Sequence, residues 1–478
     1  MSKKFLRFSA LLTAVIMTAT FASCGKSGTD SDYSSDYDYS SVDSTGSENQ
    51  SSDQTSTDSS DSSGTQSSES KPSGNSNSSS GSSGNSKFLV DPEEYRGTTV
   101  VFVTWKDPKL AEDGPVIDAF EKKYGINVEI QLVDQEKYLS QISASIASGQ
   151  QGDIFFENGT FPGSLSVMQP LDNAMLNLND PIWNKSTLEA SKIGGHSYLV
   201  DTISNIWSEV DICVYNKKIF ADNNLTTPEE LYKAGKWTFE NFRLLAQQVS
   251  ALGKDYIGAE INSETALGAA QVGFFSYKNE KMSVSVNDKL YEVMRFLAQM
   301  KADGIAQIGH RAFNDGKIGM GLTNAFALKK SGYFTSINPD HVGVTYLPVW
   351  KEGDKNVPTG IYRGWGLIKG AKNPVAAGIF LREYLDINNY DVSNSFLTDE
   401  CADFFFQVTG VSSDIFYYYG NSMVKSTGLG TEFADRWSTT SPDQIRTYIE
   451  GQLNVMNEMS AKANEIIQTE KEWLAEEY

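Results

Sequence analysis

Between Thr98 and Asn158 the spacing of apolar residues alternates between two periods, and this alternation constrains the fold more than any other feature of the chain. Thr98–Trp105 (TTVVFVTW) is an apolar run of strand length, and Pro115–Tyr124 has helical spacing stopped by Gly125. Asn127–Val133 predicts a second strand, Glu136–Ser148 a second helix closed by Gly149, and Asp153–Asn158 a third strand. A β-α-β-α-β run implies a mostly parallel sheet with helices on its faces. In such sheets ligands bind outside the carboxyl ends of the strands. Trp105–Asp107 and Glu157–Phe161 occupy those positions.

A second block follows the first. His196–Asp201 and Asp211–Asn216 have strand character. Thr227-Pro-Glu-Glu230 is a capping box with Pro at the first helical position. Thr238 is placed to cap a helix reaching Leu252, and Asp288–Ala302 forms another. Gly316–Thr323 is a strand whose glycines permit close backbone approach. Val342–Val349 and Ile361–Lys369 predict further strands, and Asn373-Pro374 opens a helix through Asp386. The tail is helical, with a further capping box at Ser441-Pro-Asp-Gln444, and the chain shows no internal repeat.

Charge and composition remove whole classes of function. The 478 residues carry 40 Lys and Arg against 61 Asp and Glu, a net charge of −21. Nucleic acid is therefore not an expected partner, because phosphate neutralisation needs clustered cations. Three His and three Cys, all dispersed, make neither a zinc cluster nor a disulfide framework, so neither metal nor cofactor is expected. No apolar run reaches the roughly 20 residues that span a bilayer. Residues 87–478 lack GxSxG and HExxH; Gly309–Lys317 spaces its glycines wrongly for a phosphate loop, and Gly319-Met-Gly321 lacks the third glycine of a dinucleotide fingerprint. His196, His310 and His341 lie in unrelated blocks. The expectation is a binding protein and not an enzyme.

The amino terminus has its own logic. Lys3, Lys4 and Arg7 precede an uncharged stretch from Phe8 to Ala22, so residues 1–23 have the form of a secretory signal peptide. Phe21-Ala22-Ser23-Cys24 is similar to a bacterial lipobox, which implies a diacylglycerol on Cys24 and palmitate among its acyl chains; the alternative is ordinary cleavage leaving a free thiol. Residues 24–86 form a linker in which 26 residues are Ser, with ten acids against Lys26 and Lys71. Such a segment buries too little apolar surface to offset its ordering entropy and is expected to be disordered. Residues 87–478, with 35 basic and 51 acidic residues, form the folded part.

The runs YGINVEI, LSQISASIASGQQGDIFFENG, QPLD, VDICVYNKKIFADNNL, TPEEL, WTFENF, FNDGKIGMGL, GVTYLPV and GWGLIKGAKNPVAAGIFLREYL follow one another over residues 124–385. In order and spacing this chain resembles the family 1 extracellular solute-binding proteins of ABC importers. The resemblance implies a type II periplasmic-binding-protein-like α/β fold with two lobes and a hinge. Lobe 1 would hold residues 88–202 and 311–345, and lobe 2 residues 203–310 and 346–478. It implies a monomer, lipid-anchored at the extracellular face of a bacterial cell membrane. The protein would capture a mono- or oligosaccharide and deliver it to a membrane permease. Gly152, where the family often has Pro, and the Phe- and Tyr-rich tail beyond Asn388 depart from the pattern.

A sugar offers apolar faces to aromatic rings and a rim of hydroxyls to carboxylates, amides and guanidinium. On that chemistry the candidate ligand contacts are Trp105 and Asp107 after the first strand, with Glu157 and Asn158 after the third. Trp207 and Glu209 share one face before the VYN strand, and Asn324 and Phe326 follow GKIGMGL. The last group is Tyr362, Arg363 and the glycine-bracketed Trp365. Each has a plain alternative: a core ring for Trp105, Phe326 and Trp365, a turn former for Asp107. Trp183, Trp237, Trp350, Trp437 and Trp473 are assigned to packing and Cys213 to a buried, inert position, its pairing with Cys401 left open. Two rival functions remain: a cell-surface glycoside hydrolase using two of Asp107, Glu157 and Glu209, and polysaccharide capture without a permease.

Overall fold

The computed structural model describes residues 87–477 except 112, 203–209, 310–311, 393, 411–414 and 430–432. The expected signal peptide, Cys24 and linker lie outside the described residues, as do Trp207 and Glu209.

Two five-stranded sheets organise the chain. The first contains β1 (Thr99–Thr104), β2 (Asn127–Leu132), β3 (Ile154–Glu157), β4 (Met168–Gln169) and β13 (Gly364–Ile368), in the order β2-β1-β3-β13-β4. The second contains β5 (Asp211–Asn216), β6 (Ile257–Ile261), β9 (Ala306–Ile308), β10 (Ile318–Asn324) and β11 (Val342–Thr345), in the order β11-β5-β10-β6-β9. A hairpin of β7 (Phe275–Lys278) and β8 (Lys281–Val284) stands apart, as does a parallel pair of β12 (Thr359–Ile361) with β14 (Phe416–Tyr418).

Each sheet is parallel except for one strand. β13 runs antiparallel between β3 and β4, and β5 runs antiparallel between β11 and β10. Both odd strands begin where their neighbours end: Gly364 pairs with Glu157, and Asp211 pairs with Asn324. The chain therefore enters both sheets at their carboxyl-end edges. Around these entries two bridges join the chain to itself, Val200 to Trp365 and Val210 to Gly360.

Helices α1 (Gly114–Tyr124) and α2 (Tyr138–Ser148) cover the first sheet, and Gly125 and Gly149 end them in the left-handed conformation at φ 63° and 72°. Two short helices, α3 (Lys185–Ala190) and α4 (Lys217–Asp222), flank the crossing into the second sheet. α5 (Pro228–Lys233) opens with the expected capping box at Thr227 and Glu230. Thr238 caps α6 (Phe239–Ser250), which lies so close to β6 that a Cβ on Gly258 would stand 2.1 Å from the Ala246 carbonyl oxygen. α7 (Ser263–Ala269) and α8 (Asp288–Ala302) complete this part. α9 (Pro374–Tyr384) returns to the first sheet, where Phe380 meets Phe102 and Phe120. α10 (Asp399–Thr409) packs Phe405 and Cys401 with Val342 and Val344 of the second. α11 (Gly420–Thr427) and the 33-residue α12 (Ile445–Glu477) end the chain.

Separate apolar clusters back the two sheets, and a third runs through both parts of the molecule. It joins Val103, Phe155 and Tyr198 to Cys213, Phe239 and Met320, then to Ile449 and Met459 of α12. Cys213 and Cys401 are both buried and free, so they do not pair.

Three expectations need correction. Residues 318–324 and 342–345 belong to the same sheet as β5, and 364–368 to the same sheet as β3. Those pairings put 318–324 and 342–345 with the expected second lobe and 364–368 with the expected first, whereas α10 packs on the second sheet. His196–Asp201 is not a strand: it has single bridges at His196 and Val200 and isolated bonds from the Leu171 and Asn184 amides to Ser197 and Asp201, with no continuous ladder. Finally, Ser441–Gln444 forms a turn, and α12 begins at Ile445.

Candidate functional site

The carboxyl-end edge of the first sheet is built around Tyr138. Its hydroxyl donates to the Val103 carbonyl (2.8 Å) and accepts from the Phe156 amide (3.2 Å), tying β1 to β3. Burial pushes its pKa well up, so the phenol stays neutral. Trp105 meets the Tyr138 ring edge to face at 4.9 Å and leaves part of its own surface exposed. Trp105 thus holds a partly exposed ring just past the end of β1, fixed on one side by a neutral phenol.

Beyond β3 the chain folds around Glu157. This side chain is fully buried, and its carboxylate accepts from the amides of Gly159 and Thr160 and from the Thr160 hydroxyl (2.6 Å). Burial raises its pKa above the ordinary 4.5 against the pull of those bonds and of the nearby Arg363 charge. Glu157 therefore shapes the loop that carries Asn158. Asn158 and Thr160 are half-buried and retain surface. The Thr160 carbonyl accepts from the Ser426 hydroxyl (2.5 Å), which connects this loop to α11.

Asp211 marks the corresponding edge of the second sheet. It is buried, accepting from the Thr265 hydroxyl (2.9 Å) and the Tyr418 hydroxyl (3.4 Å). Glu260, at the end of β6, accepts from the Phe313 amide at 3.2 Å, and Glu264 is buried in α7. Tyr417, between the two edges, is half-buried, and its hydroxyl lies 3.2 Å from that of Thr187.

Trp105, Glu157 and Asn158 thus share one edge, with Arg363 and Tyr362 arriving there on the segment before β13. Other candidates have structural work. Asp107 caps a 3-10 turn at Pro108–Leu110, accepting from the Lys109 amide at 2.9 Å. Asn324 caps the turn Ala325–Leu328 in position only, and its side-chain amide donates to the Tyr333 hydroxyl. Phe326 is buried against Tyr333. Tyr362 is 1% exposed among Phe161, Tyr417 and Tyr419.

Trp365 is the main correction. It is 5% exposed and packed on Phe102, Phe156 and Tyr384. The bracketing glycines leave room for the protein's own chain: a Cβ on Gly364 would lie 3.0 Å from the Val200 carbonyl oxygen, and one on Gly366 3.2 Å from that of Tyr198. By contrast Trp183, Trp237 and Trp437 are buried as expected, and Trp350 and Trp473 pack against the core. Sequence reasoning missed Asp211 and Tyr417–Tyr419. The only signals were an acid at the start of the VYN strand and an unusual aromatic run.

Among the described residues no group of three or more His, Cys, Asp or Glu is placed to hold a metal ion. Nor is any helix among them long and apolar enough to cross a membrane.

Residues 99–386 match the family described as bacterial extracellular solute-binding protein. The chain belongs to that family. It is a family of binding proteins, not of enzymes. No curated protein matches this solute-binding protein by sequence. Solved structures share its fold at low identity. One is the galacto-N-biose/lacto-N-biose I-binding protein of an ABC transporter from Bifidobacterium longum, in complex with lacto-N-biose. It has a TM-score of 0.58 and 14% identity, over 76% of this chain and 98% of that one. Another is the GacH receptor of Streptomyces glaucescens, whose structures include an acarbose complex; it scores 0.54 at 15% identity, over 78% and 98%. A third is an extracellular solute-binding protein from Staphylococcus aureus in complex with maltose, at 0.52 and 16%, over 79% and 99%. The fold of this solute-binding protein is accordingly the two-lobe periplasmic-binding-protein fold, each sheet forming the centre of one lobe.

Proposed function

We propose that this chain is the substrate-binding component of an ABC importer. Lipid-anchored through Cys24 at the extracellular face, it takes a mono- or oligosaccharide between its lobes and passes it to a membrane permease. The observation that carries this reading is that bridges join the chain at both carboxyl-end edges, Val200 with Trp365 at the first and Val210 with Gly360 at the second. A solute touching both edges stabilises only the closed arrangement, so binding shifts a hinge equilibrium by that difference. The sugar complexes of the structural neighbours support the ligand class. Trp105 supplies the ring, and the half-buried Asn158, on the same sheet edge, supplies a polar side chain. Stacking on one ring adds about 0.5–1.5 kcal/mol beyond buried area. Micromolar binding needs about 8 kcal/mol, so hydrogen bonds from both edges must contribute most of it. The hydrolase alternative is weakened because Asp107 is engaged as a cap and Glu157 by its own loop.

A thermal-shift panel on residues 87–478 tests the proposal. The panel spans mono- and oligosaccharides, including lacto-N-biose, maltose and acarbose. At least one sugar should raise the melting temperature, and Trp105→Ala should weaken that sugar's affinity about tenfold, equivalent to about 1.4 kcal/mol. A shift with an amino acid or a polyamine and with no sugar overturns the sugar reading.

A further inference from the structure

The long final helix touches both parts of the molecule. Its middle lies along β8, where Ser460 and Asn464 donate to the Met282 carbonyl (2.9 and 2.8 Å) and Asn464 accepts from the Met282 amide (2.8 Å). Near its start Arg446 pairs with Asp288 at the head of α8 and lies over the Tyr291 ring. The contact with α8 belongs to the part that carries the second sheet, because α8 packs on β9, whereas the β7–β8 hairpin also meets the first part through Tyr277 to the Lys192 carbonyl and the Gly194 amide to Glu280.

Toward its end the same helix engages the first sheet. Glu470, 2% exposed, accepts from the Tyr198 hydroxyl (2.6 Å) and pairs with Lys369 (3.0 Å). Tyr198 leads into the first connecting segment, and Lys369 directly follows β13. Lys369 also sits over the Trp473 ring, 4.3 Å from its centre, and Leu474 packs at Gly194. Its ammonium is itself buried, and burial lowers its pKa against the pull of Glu470. A buried ion pair is a weak source of stability compared with apolar packing, but breaking one side leaves an uncompensated charge. It therefore acts as a registry device: the helix docks on the first sheet in one position or not at all.

We propose that α12 is a strap fastened to both lobes, with the Glu470–Lys369–Tyr198 cluster as its buckle, so that the resting separation of the lobes depends on this cluster. A strap of fixed length, bonded to α8 at one end and to the base of β13 at the other, holds the two sheets at a set spacing on the α12 side. Motion of the lobes then takes place by rotation about that side. The proposal rests on the fold and not on the sugar reading.

The test uses the full chain with Cys24→Ala and nitroxide labels on Leu110→Cys and Leu244→Cys. These are exposed positions, one beyond β1 and one on α6. Distances are measured by pulsed electron resonance with no sugar present. The parent should give one narrow distribution. Glu470→Gln should add a second, longer population, and Tyr198→Phe, which removes a single hydroxyl, a smaller one at the same distance. If Glu470→Gln does not fold, Tyr198→Phe decides the matter. A distribution unchanged in the folded variants overturns the proposal, even if hydrogen exchange over residues 460–477 speeds up, because the cluster would then hold only its own helix.

Discussion

Replacing Trp365 with alanine removes a ring from the middle of the first sheet's core. The ring centre lies 5.3 Å from those of Phe102 and Tyr384 and 5.0 Å from that of Phe156. Truncating a buried aromatic to alanine costs about 3–5 kcal/mol. One contribution works the other way. The indole Nε1 is buried and has no hydrogen-bond partner among the described residues, and leaving such a donor unsatisfied costs about 1–3 kcal/mol. Both alanine and phenylalanine remove that donor. The net loss for Trp365→Ala should therefore be about 2 kcal/mol, the middle of a range of about 0–4, and Trp365→Phe, which keeps one ring, should fall within about 1 kcal/mol of the parent. Urea unfolding of residues 87–478 at fixed pH, read by midpoint and slope, measures both values. A sugar titration on the folded variants runs in parallel and should show unchanged affinity. Wild-type stability in Trp365→Ala together with lost sugar binding would refute the reasoning, because the ring would then face the ligand and not the core.

Two further outcomes follow from single positions. Glu157 has its folded-state pKa raised above 4.5 by burial. Its contribution to stability is therefore fully present below about pH 4.5 and lost as pH climbs through the raised value. The stability of the parent relative to Glu157→Gln should accordingly fall with rising pH across that window; a difference that is flat or rises contradicts the assigned burial. Gly258→Ala would drive a methyl group into the Ala246 carbonyl. It should cost about 3 kcal/mol or more, and a variant that melts with the parent refutes the close packing of α6 on β6.

Much of the secondary structure could be read in the sequence because its causes are local. The change of period from Thr98 to Asn158 marks β1, α1, β2, α2 and β3, and Gly125, Gly149, Thr227 and Thr238 stop or start helices by backbone geometry that one or two residues decide. Sheet membership could not be read that way. The run at 364–368 looks the same whether it pairs with β3 or with β5; the choice depends on where the chain crosses between sheets. The site was legible only in part, for the same reason. Trp105 and Asn158 follow strand ends, a local fact. The glycines around Trp365 announce an approach without saying what approaches, and the answer is the chain at Tyr198–Val200. Asp211 gains its meaning from Thr265 and Tyr418, distant in sequence.

The apolar cluster that passes from Phe155 through Met320 to Met459 carries a consequence for how the molecule comes apart. Neither jaw owns a complete interior, so excising one would expose the face it shares with the other and with the last helix. The two should melt together in a single cooperative step, and newly made chains cannot settle either jaw fully until the carboxyl-terminal helix has emerged.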